Sequence, residues 1–349
     1  MKKIYLALVI LTSFQLNSLH IRGTDYSKGP LYGKNMYTPL MIYYNFPSIN
    51  AKKGDNFSIS YYLQTFLIQG FICSDLYEDK YGNVTGTRHI DYESHVLGFG
   101  VSFSLLRNLQ FGIDARVIWY YGGFMDVIIE NFHHTFNFPN GGREYFERNA
   151  LLINIENKNG IKMYLDEPNC SFGDIDLWIK WTFFERRFVS LATVGAFKIP
   201  TGRLELLSGS GYPDMATGLI ADFRPFWLFS IYFQTGIVLS FDTLITNNES
   251  SPFPMFNGIL SFELNPLKFF SLIVQFNIKT LPIEGYDDFP HYDLGTPFFS
   301  NPQTNILVGF IFEYNDLTWQ FFFEEDPITN SGTDITLNLT FKHKIRILK

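Results

Sequence analysis

From residue 57 onward, apolar side chains occupy every second position over long stretches, and small or polar ones fill the gaps. Between 227 and 242, Trp227, Phe229, Ile231, Phe233, Thr235, Ile237, Leu239 and Phe241 form one series. Leu228, Ser230, Tyr232, Gln234, Gly236, Val238, Ser240 and Asp242 form the other. The same alternation opposes Phe111, Ile113, Val117 and Trp119 to Gly112, Asp114, Arg116 and Tyr120, and Leu337, Leu339 and Phe341 to Asn338, Thr340 and Lys342. Successive side chains of a strand point to opposite faces, so this period predicts strands with one greasy and one wet face.

The connections have a rhythm of their own. Short links at Arg107-Asn108, Glu185-Arg186-Arg187, Arg224-Pro225, Asn265-Pro266-Leu267 and Asn315-Asp316 carry the residues that tight turns favour. They define hairpins at 88–106/109–121, 172–184/188–200, 214–223/227–242, 254–264/268–280 and 303–314/317–325, with single strands 57–69 and 333–345 at the ends. Longer polar stretches at 70–87, 122–171, 201–213, 243–253, 281–302 and 326–332 separate them. If the two end strands pair, the expectation is an all-β, closed antiparallel transmembrane β-barrel of about twelve strands over 57–345; one miscounted hairpin would make it ten or fourteen. Short turns then lie at one end and long loops at the other, the arrangement of outer-membrane barrels.

Strand length argues against a soluble sandwich, whose strands average about 5–6 residues. Many here exceed the roughly 9–11 residues that a tilted membrane strand needs. Composition points the same way: 18% of residues are aromatic, enough for girdles on an apolar exterior. The 27 basic and 34 acidic side chains give a net charge of −7 with no basic cluster among aromatics, which excludes a nucleic-acid surface.

Residues 1–23 read as a signal peptide: Lys2 and Lys3 precede an apolar run from Ile4 to Phe14, and cleavage is expected between Ser18 and Thr24. Residues 24–56, interrupted by Pro30, Pro39 and Pro47, are expected to enter the lumen from the periplasm as a plug, with an added strand as the alternative. Cys73 and Cys170 both fall in stretches expected at the long-loop end, where one bridge or two free thiols are equally compatible with the spacing.

The insertion 122–171 is where chemistry would sit. Phe124, Val127, Ile128, Phe132 and Phe136 recur at helical spacing, with Asp126, Glu130, His133 (or His134) and Asn137 on the other faces. This predicts a short amphipathic helix folding over or into the barrel mouth, followed by a small hairpin from 149–156 and 161–166. Glu130 and His133 at i, i+3, with Asp126 and Arg143, are the candidate catalytic or metal-binding set; the competing expectation is a hydrogen-bonded polar plug. On the inward face Asp114, Arg116, Asp174, Asp176, Lys180, Lys279 and Glu313 are the candidate lumen residues, joined by Lys342 and Lys344, with charges of both signs pairing across the bore.

Several of these segments resemble an outer-membrane family catalogued as domain of unknown function 3187. They are Gly29-Pro30-Leu31 through Asn35 with Pro39-Leu40, GFMDVIIENFHHTFNFPNGGRE ending at Glu144, FGDIDLWIKW from Phe172, GSGYPD from Gly209 and EDPITNSGTDITLNLTF from Glu325. The resemblance implies a barrel and an outer-membrane address, and no activity. Barrels usually end on an aromatic residue; here Ile345 and a basic tail, Arg346 to Lys349, follow Phe341.

The functional expectation is a plugged or gated channel or transporter, or a structural membrane component, without catalysis. An outer-membrane hydrolase using Asp126, Glu130, His133 and Arg143, or a surface adhesin, are the alternatives. No cofactor and no metal are expected. The expected partners are outer-membrane lipid, lipopolysaccharide and the barrel-assembly machinery.

Overall fold

The computed structural model describes residues 25–34, 36–37, 40–78, 84–137, 143, 146–157, 162–242, 252–280, 302–326 and 333–347, with backbone alone at 40, 72–78, 84–88, 136, 156–157, 162, 253 and 302. The expected signal segment 1–23 and most of the loops 243–253, 281–302 and 326–332 lie outside the described residues.

Twelve antiparallel strands close into a barrel, with three further strands and one α-helix in the insertion. The barrel strands are β1 (Ser58–Glu78), β2 (Val84–Leu106), β3 (Leu109–Tyr121), β7 (Ile175–Glu185), β8 (Val189–Ile199), β9 (Asp214–Phe226), β10 (Phe229–Ser240), β11 (Phe253–Leu267), β12 (Phe270–Thr280), β13 (Pro302–Tyr314), β14 (Leu317–Glu325) and β15 (Ile335–Arg346). Each pairs with its neighbour in sequence, β3 with β7 across the insertion, and β1 with β15 from Ser58↔Arg346 to Gln69↔Ile335. That last pairing removes the free edges an open sheet would expose. The basic tail helps to hold the seam: Lys344 and Arg346 reach Asp55 at 2.8 and 3.1 Å, and Arg346 reaches Asp316 at 2.9 Å.

The alternation sorts as the pattern requires. Along β9, Met215, Leu219 and Phe223 face outward and exposed, while Asp214, Ala216, Ile220 and Asp222 are buried inside. Equivalent outward rows on the other strands make a continuous apolar exterior, matched to lipid and not to water. Leu219, 59% exposed in the middle of β9, sits where a charge would cost most. Leu219→Arg is expected to lower the unfolding free energy in lipid vesicles by about 2–4 kcal/mol in a urea titration.

β1 and β2 run well past the expected limits of 69 and 88. Their partnership continues to Glu78↔Val84, and β4 (Leu152–Asn157) adds to the upper part of β2, followed by β5 (Lys162–Leu165). The polar, Gly-containing stretch 70–87 reads as loop in one dimension, but its described residues in β1 and β2 stay paired with each other, and β2 gains β4 on its other side. β6 (Asn169–Phe172) continues the line of β7 along β3 beyond the break at Gly173-Asp174. The inner face of this extension (Ile90, Tyr92, Ile153, Ile155, Met163 and Leu165) is buried and apolar, and β5 reaches the turn Leu204–Leu206. The extension therefore bends over the long-loop end of the bore.

The described residues of 25–56 run through the interior without joining the sheet. Leu31, Tyr37, Met41, Ile42, Tyr43 and Tyr44 have almost no exposed surface, and only a 3-10 turn, Leu40–Ile42, interrupts their irregular course. Gly236 on β10 leaves room for Phe46, whose ring carbons would lie 2.7 Å from a Cβ there. A twelve-strand ring is too wide for its own side chains to fill. Here the chain itself fills it.

Candidate functional site in the lumen

An irregular backbone in a sealed interior needs hydrogen-bond partners at nearly every residue. The inward side chains of the wall supply them. Asp214 accepts the amide of Tyr44 at 2.7 Å, and Asp222 that of Ala51 at 2.9 Å. Glu263 accepts from Lys28 at 2.9 Å, and Gln320 from Tyr32 at 2.7 Å. In the other direction Lys180 donates to the carbonyls of Asn50 and Lys52, Lys279 to Tyr44, Arg116 to Met41 and Gln64 to Tyr32, all at 2.5–3.1 Å.

Two buried cations lie where these contacts converge. Lys34, from the internal segment, sits between Asp114 on β3 and Asp176 on β7, 2.9 Å from each. Nearer the long loops, Lys198 on β8 meets Asp174 at 2.9 Å and Asp214 at 3.2 Å, and donates to Ile42 O and Ser210 Oγ at 2.7 Å. Neither Lys198 nor its two carboxylates has any exposed side-chain surface. Charges that deep are tolerated only when paired and fully hydrogen-bonded.

Of the seven lumen residues expected from sequence, Asp114, Arg116, Asp176, Lys180 and Lys279 thus engage the internal segment directly. Asp174 holds Lys198, and Glu313 lines a cavity at the short-turn end. Most of the contacts run between wall and internal segment rather than across an empty bore. Sequence reasoning passed over Lys34, Lys198, Asp214, Asp222 and Glu263. Asp214 and Asp222 do share the inward parity of β9, the signal that could have found them.

The candidate set in the insertion lies elsewhere. The helix α1 (Asp126–Phe136) packs against the outward face of β1 and β2, above the exposed belt, and not in the bore. Its anchor is polar. Glu93, which shares the outward parity of His95 and Leu97, accepts the amides of Phe124, at 2.6 Å, and Met125 at the entry to the helix. Gly123, at φ +90, passes so close that a Cβ would overlap the Glu93 carboxyl. Arg143 donates to Asp126 at 2.6 Å, to Gln69 at 3.2 Å and to Asp334, over the ring of Phe71. The second oxygen of Asp126 accepts the amide of Asn149, and both oxygens of Glu130 are taken by Arg148. Both carboxylates are thus engaged by groups of the insertion itself. His133 stands one turn on, its ring 6.2 Å from that of Phe132. Among the described residues no group of three His, Cys, Asp or Glu side chains is placed to hold a metal ion. Cys170 is an exposed free thiol, and the side chain of Cys73 lies outside the described residues.

α1 turns Asp126 and Ile129 to the protein and presents Val127, Ile128 and Phe132 outward, beside Phe124 just before it, an exposed apolar face that a helix on a water-soluble domain would bury. Burial, opposed by Arg143, pushes Asp334 up to about 6, with Asp126 and Glu325 adding to the rise. A raised carboxyl favours the protonated form, so its contribution to anchoring is complete below 3.8 and is lost as pH rises through about 6. Hydrogen exchange in 122–137, corrected for intrinsic rates, should accelerate across that window, and Asp334→Asn should weaken the dependence, leaving the part that belongs to the neighbouring Asp91 and Glu93.

A family model described as "Protein of unknown function (DUF3187)" matches residues 67–345. No curated protein matches the chain. Among solved structures, the COG4313 outer membrane channel from Pseudomonas putida F1 is 9% identical, with 84% of this chain and 98% of that one covered and a TM-score of 0.49. The NanC porin is 5% identical over 83% and 100% of the two chains (TM-score 0.44), and the toluene transporter TodX of Pseudomonas putida 8% identical over 92% and 99% (TM-score 0.36).

Proposed function

The chain belongs to the family of proteins of unknown function DUF3187, which brings no activity with it, and we propose from its geometry that it is an outer-membrane channel for small molecules, gated by residues 24–56. One observation carries the reading. Between residues 26 and 51 the described part of the internal segment is held by side chains of the wall and not by pairing with a strand. It can therefore leave the bore, or shift within it, without breaking one rung of the barrel ladder. A segment with a purely structural role would more simply have been another strand.

Export by residues 1–23 and insertion by the barrel-assembly machinery deliver such a barrel to the outer membrane. Its short turns then face the periplasm, outer-membrane lipid surrounds the belt, and lipopolysaccharide meets the long-loop end and α1. The bond from Gln275 Nε2 to Ser48 Oγ, 2.9 Å, gives a place to lock the segment. In a background without Cys73 and Cys170, a Ser48→Cys/Gln275→Cys pair should suppress channel openings in planar bilayers when oxidised and restore them on reduction. Equal conductance in both redox states would remove the gate from the proposal.

A further inference from the structure

At the short-turn end the internal segment does not fill the bore. A cavity of about 340 Å³ remains between residues 28–55 and the inner faces of β1, β2, β3, β7, β13, β14 and β15. Seven cationic and three anionic side chains line it. Most of the carboxylate charge is already committed: Asp55 to Lys344 and Arg346, and Asp316 to Arg346.

Among the described residues, no carboxylate oxygen lies within 4.0 Å of the ammonium groups of Lys28, Lys180 or Lys342. Lys180 is 3% exposed and holds only two backbone carbonyls, at 2.9 and 3.0 Å. Lys28 Nζ holds one, that of Tyr26. Carbonyl dipoles orient an ammonium group without cancelling its charge; Glu313 in the same lining acts on Lys28 and Lys342 from beyond ion-pair distance, and seven cations against three anions leave the cavity net positive. A second sign is independent of the lysines. Trp178 lines the same cavity, is buried, and its indole N–H has no hydrogen-bond partner. An unpaired buried donor beside unneutralised ammonium groups is what a site for an acceptor-rich anion requires.

We propose that this cavity binds a small oxyanion, carrying carboxylate or phosphoryl oxygens, between Lys28, Lys180 and Lys342, with the Trp178 N–H as a further donor. The volume is at the lower end of small-molecule sites, which limits the ligand to a molecule of metabolite size. The hydroxyls of Ser60 and Thr340 on the same wall suit a hydroxylated ligand. The inference rests on the filled lumen but not on conduction, so binding without any channel opening would sink the gating proposal alone.

The test is calorimetric titration of the folded full-length barrel in detergent with gluconate, inorganic phosphate and glucose. Gluconate, phosphate or both should bind, distinguishing a carboxylate from a phosphoryl ligand, and neutral glucose should not. Lys342→Met should weaken anion binding at least tenfold, Lys342→Arg should retain it, and Arg148→Ala, on the outer surface, should leave it unchanged. Trp178→Phe, which keeps the ring and removes the donor, should cost on the order of tenfold. Heat-modifiable mobility on gels checks that each variant is folded. Unchanged binding in folded Lys342→Met, glucose binding as well as gluconate, or no binding of either anion would overturn the assignment.

Discussion

Removing residues 25–51, with the preceding residues and the seam contact of Asp55 left in place, should raise single-channel conductance in planar bilayers on the order of tenfold or more while the barrel still forms. The bore of a twelve-strand ring exceeds that of an eight-strand one, whose interior side chains already meet. What blocks it here is chain: the rings of Tyr37, Tyr43, Tyr44 and Phe46 and the backbone that carries them. The strand ladder, including the β1–β15 seam, involves none of these residues. Their loss would expose Asp114, Asp176, Asp214, Asp222 and Glu263 to water, which solvates them better than a dry interior could. A folded, heat-modifiable variant with unchanged conductance would show that something other than this segment closes the pore.

Lys198→Met should be the most damaging single change in the interior. The substitution leaves Asp174 and Asp214 facing each other without a cation at a site with no exposed side-chain surface. Breaking a buried pair in this way costs about 3–5 kcal/mol. Two backbone elements also lose their donor, Ile42 in the internal segment and the 201–213 loop through Ser210. The expected result is a matching drop in urea stability in vesicles and faster proteolysis of both segments. The double change Lys198→Met/Asp174→Asn should recover part of the loss, because one of the stranded charges is then gone. No change in stability, or no recovery, would mean that the cluster does not hold the two segments.

Much of the architecture was legible because a barrel wall obeys a one-dimensional rule. Each strand meets lipid on one side and the bore on the other, so Leu219 and Asp222 declare their faces by parity alone. Arg107-Asn108 and Asn315-Asp316 were legible for a similarly local reason, since they must reverse the chain within two residues. The expected turns at Arg224-Pro225 and Asn265-Pro266-Leu267 are instead the ends of β9 and β11, and the chain reverses just after them, at Trp227-Leu228 and Lys268-Phe269. Parity does not say where a strand stops. The stretch after Gln69 looks like loop, yet it stays in the sheet because β2 and β4 come alongside.

The helix spacing of Phe124, Val127, Ile128 and Phe132 was equally plain, but its placement was not. A stripe of apolar residues does not reveal whether it seeks a protein core or a membrane. Glu93 decided the matter, a carboxylate on the outward face of β2 waiting for the amides of Phe124 and Met125. The lumen was legible as a set of charges and not as a site. Lys34 and Asp176 are 142 residues apart, and nothing local marks them as partners.

The seam between β1 and β15 has a consequence for biogenesis. Residues 25–56 stand immediately upstream of β1 and occupy the space the ring encloses. Once the two strands zip together, a bulky stretch such as Tyr37 to Phe46 can no longer come in from the side, and only axial threading remains. Lateral closure with the stretch already gathered avoids threading, so the order of events in assembly is written into the position of that last joint.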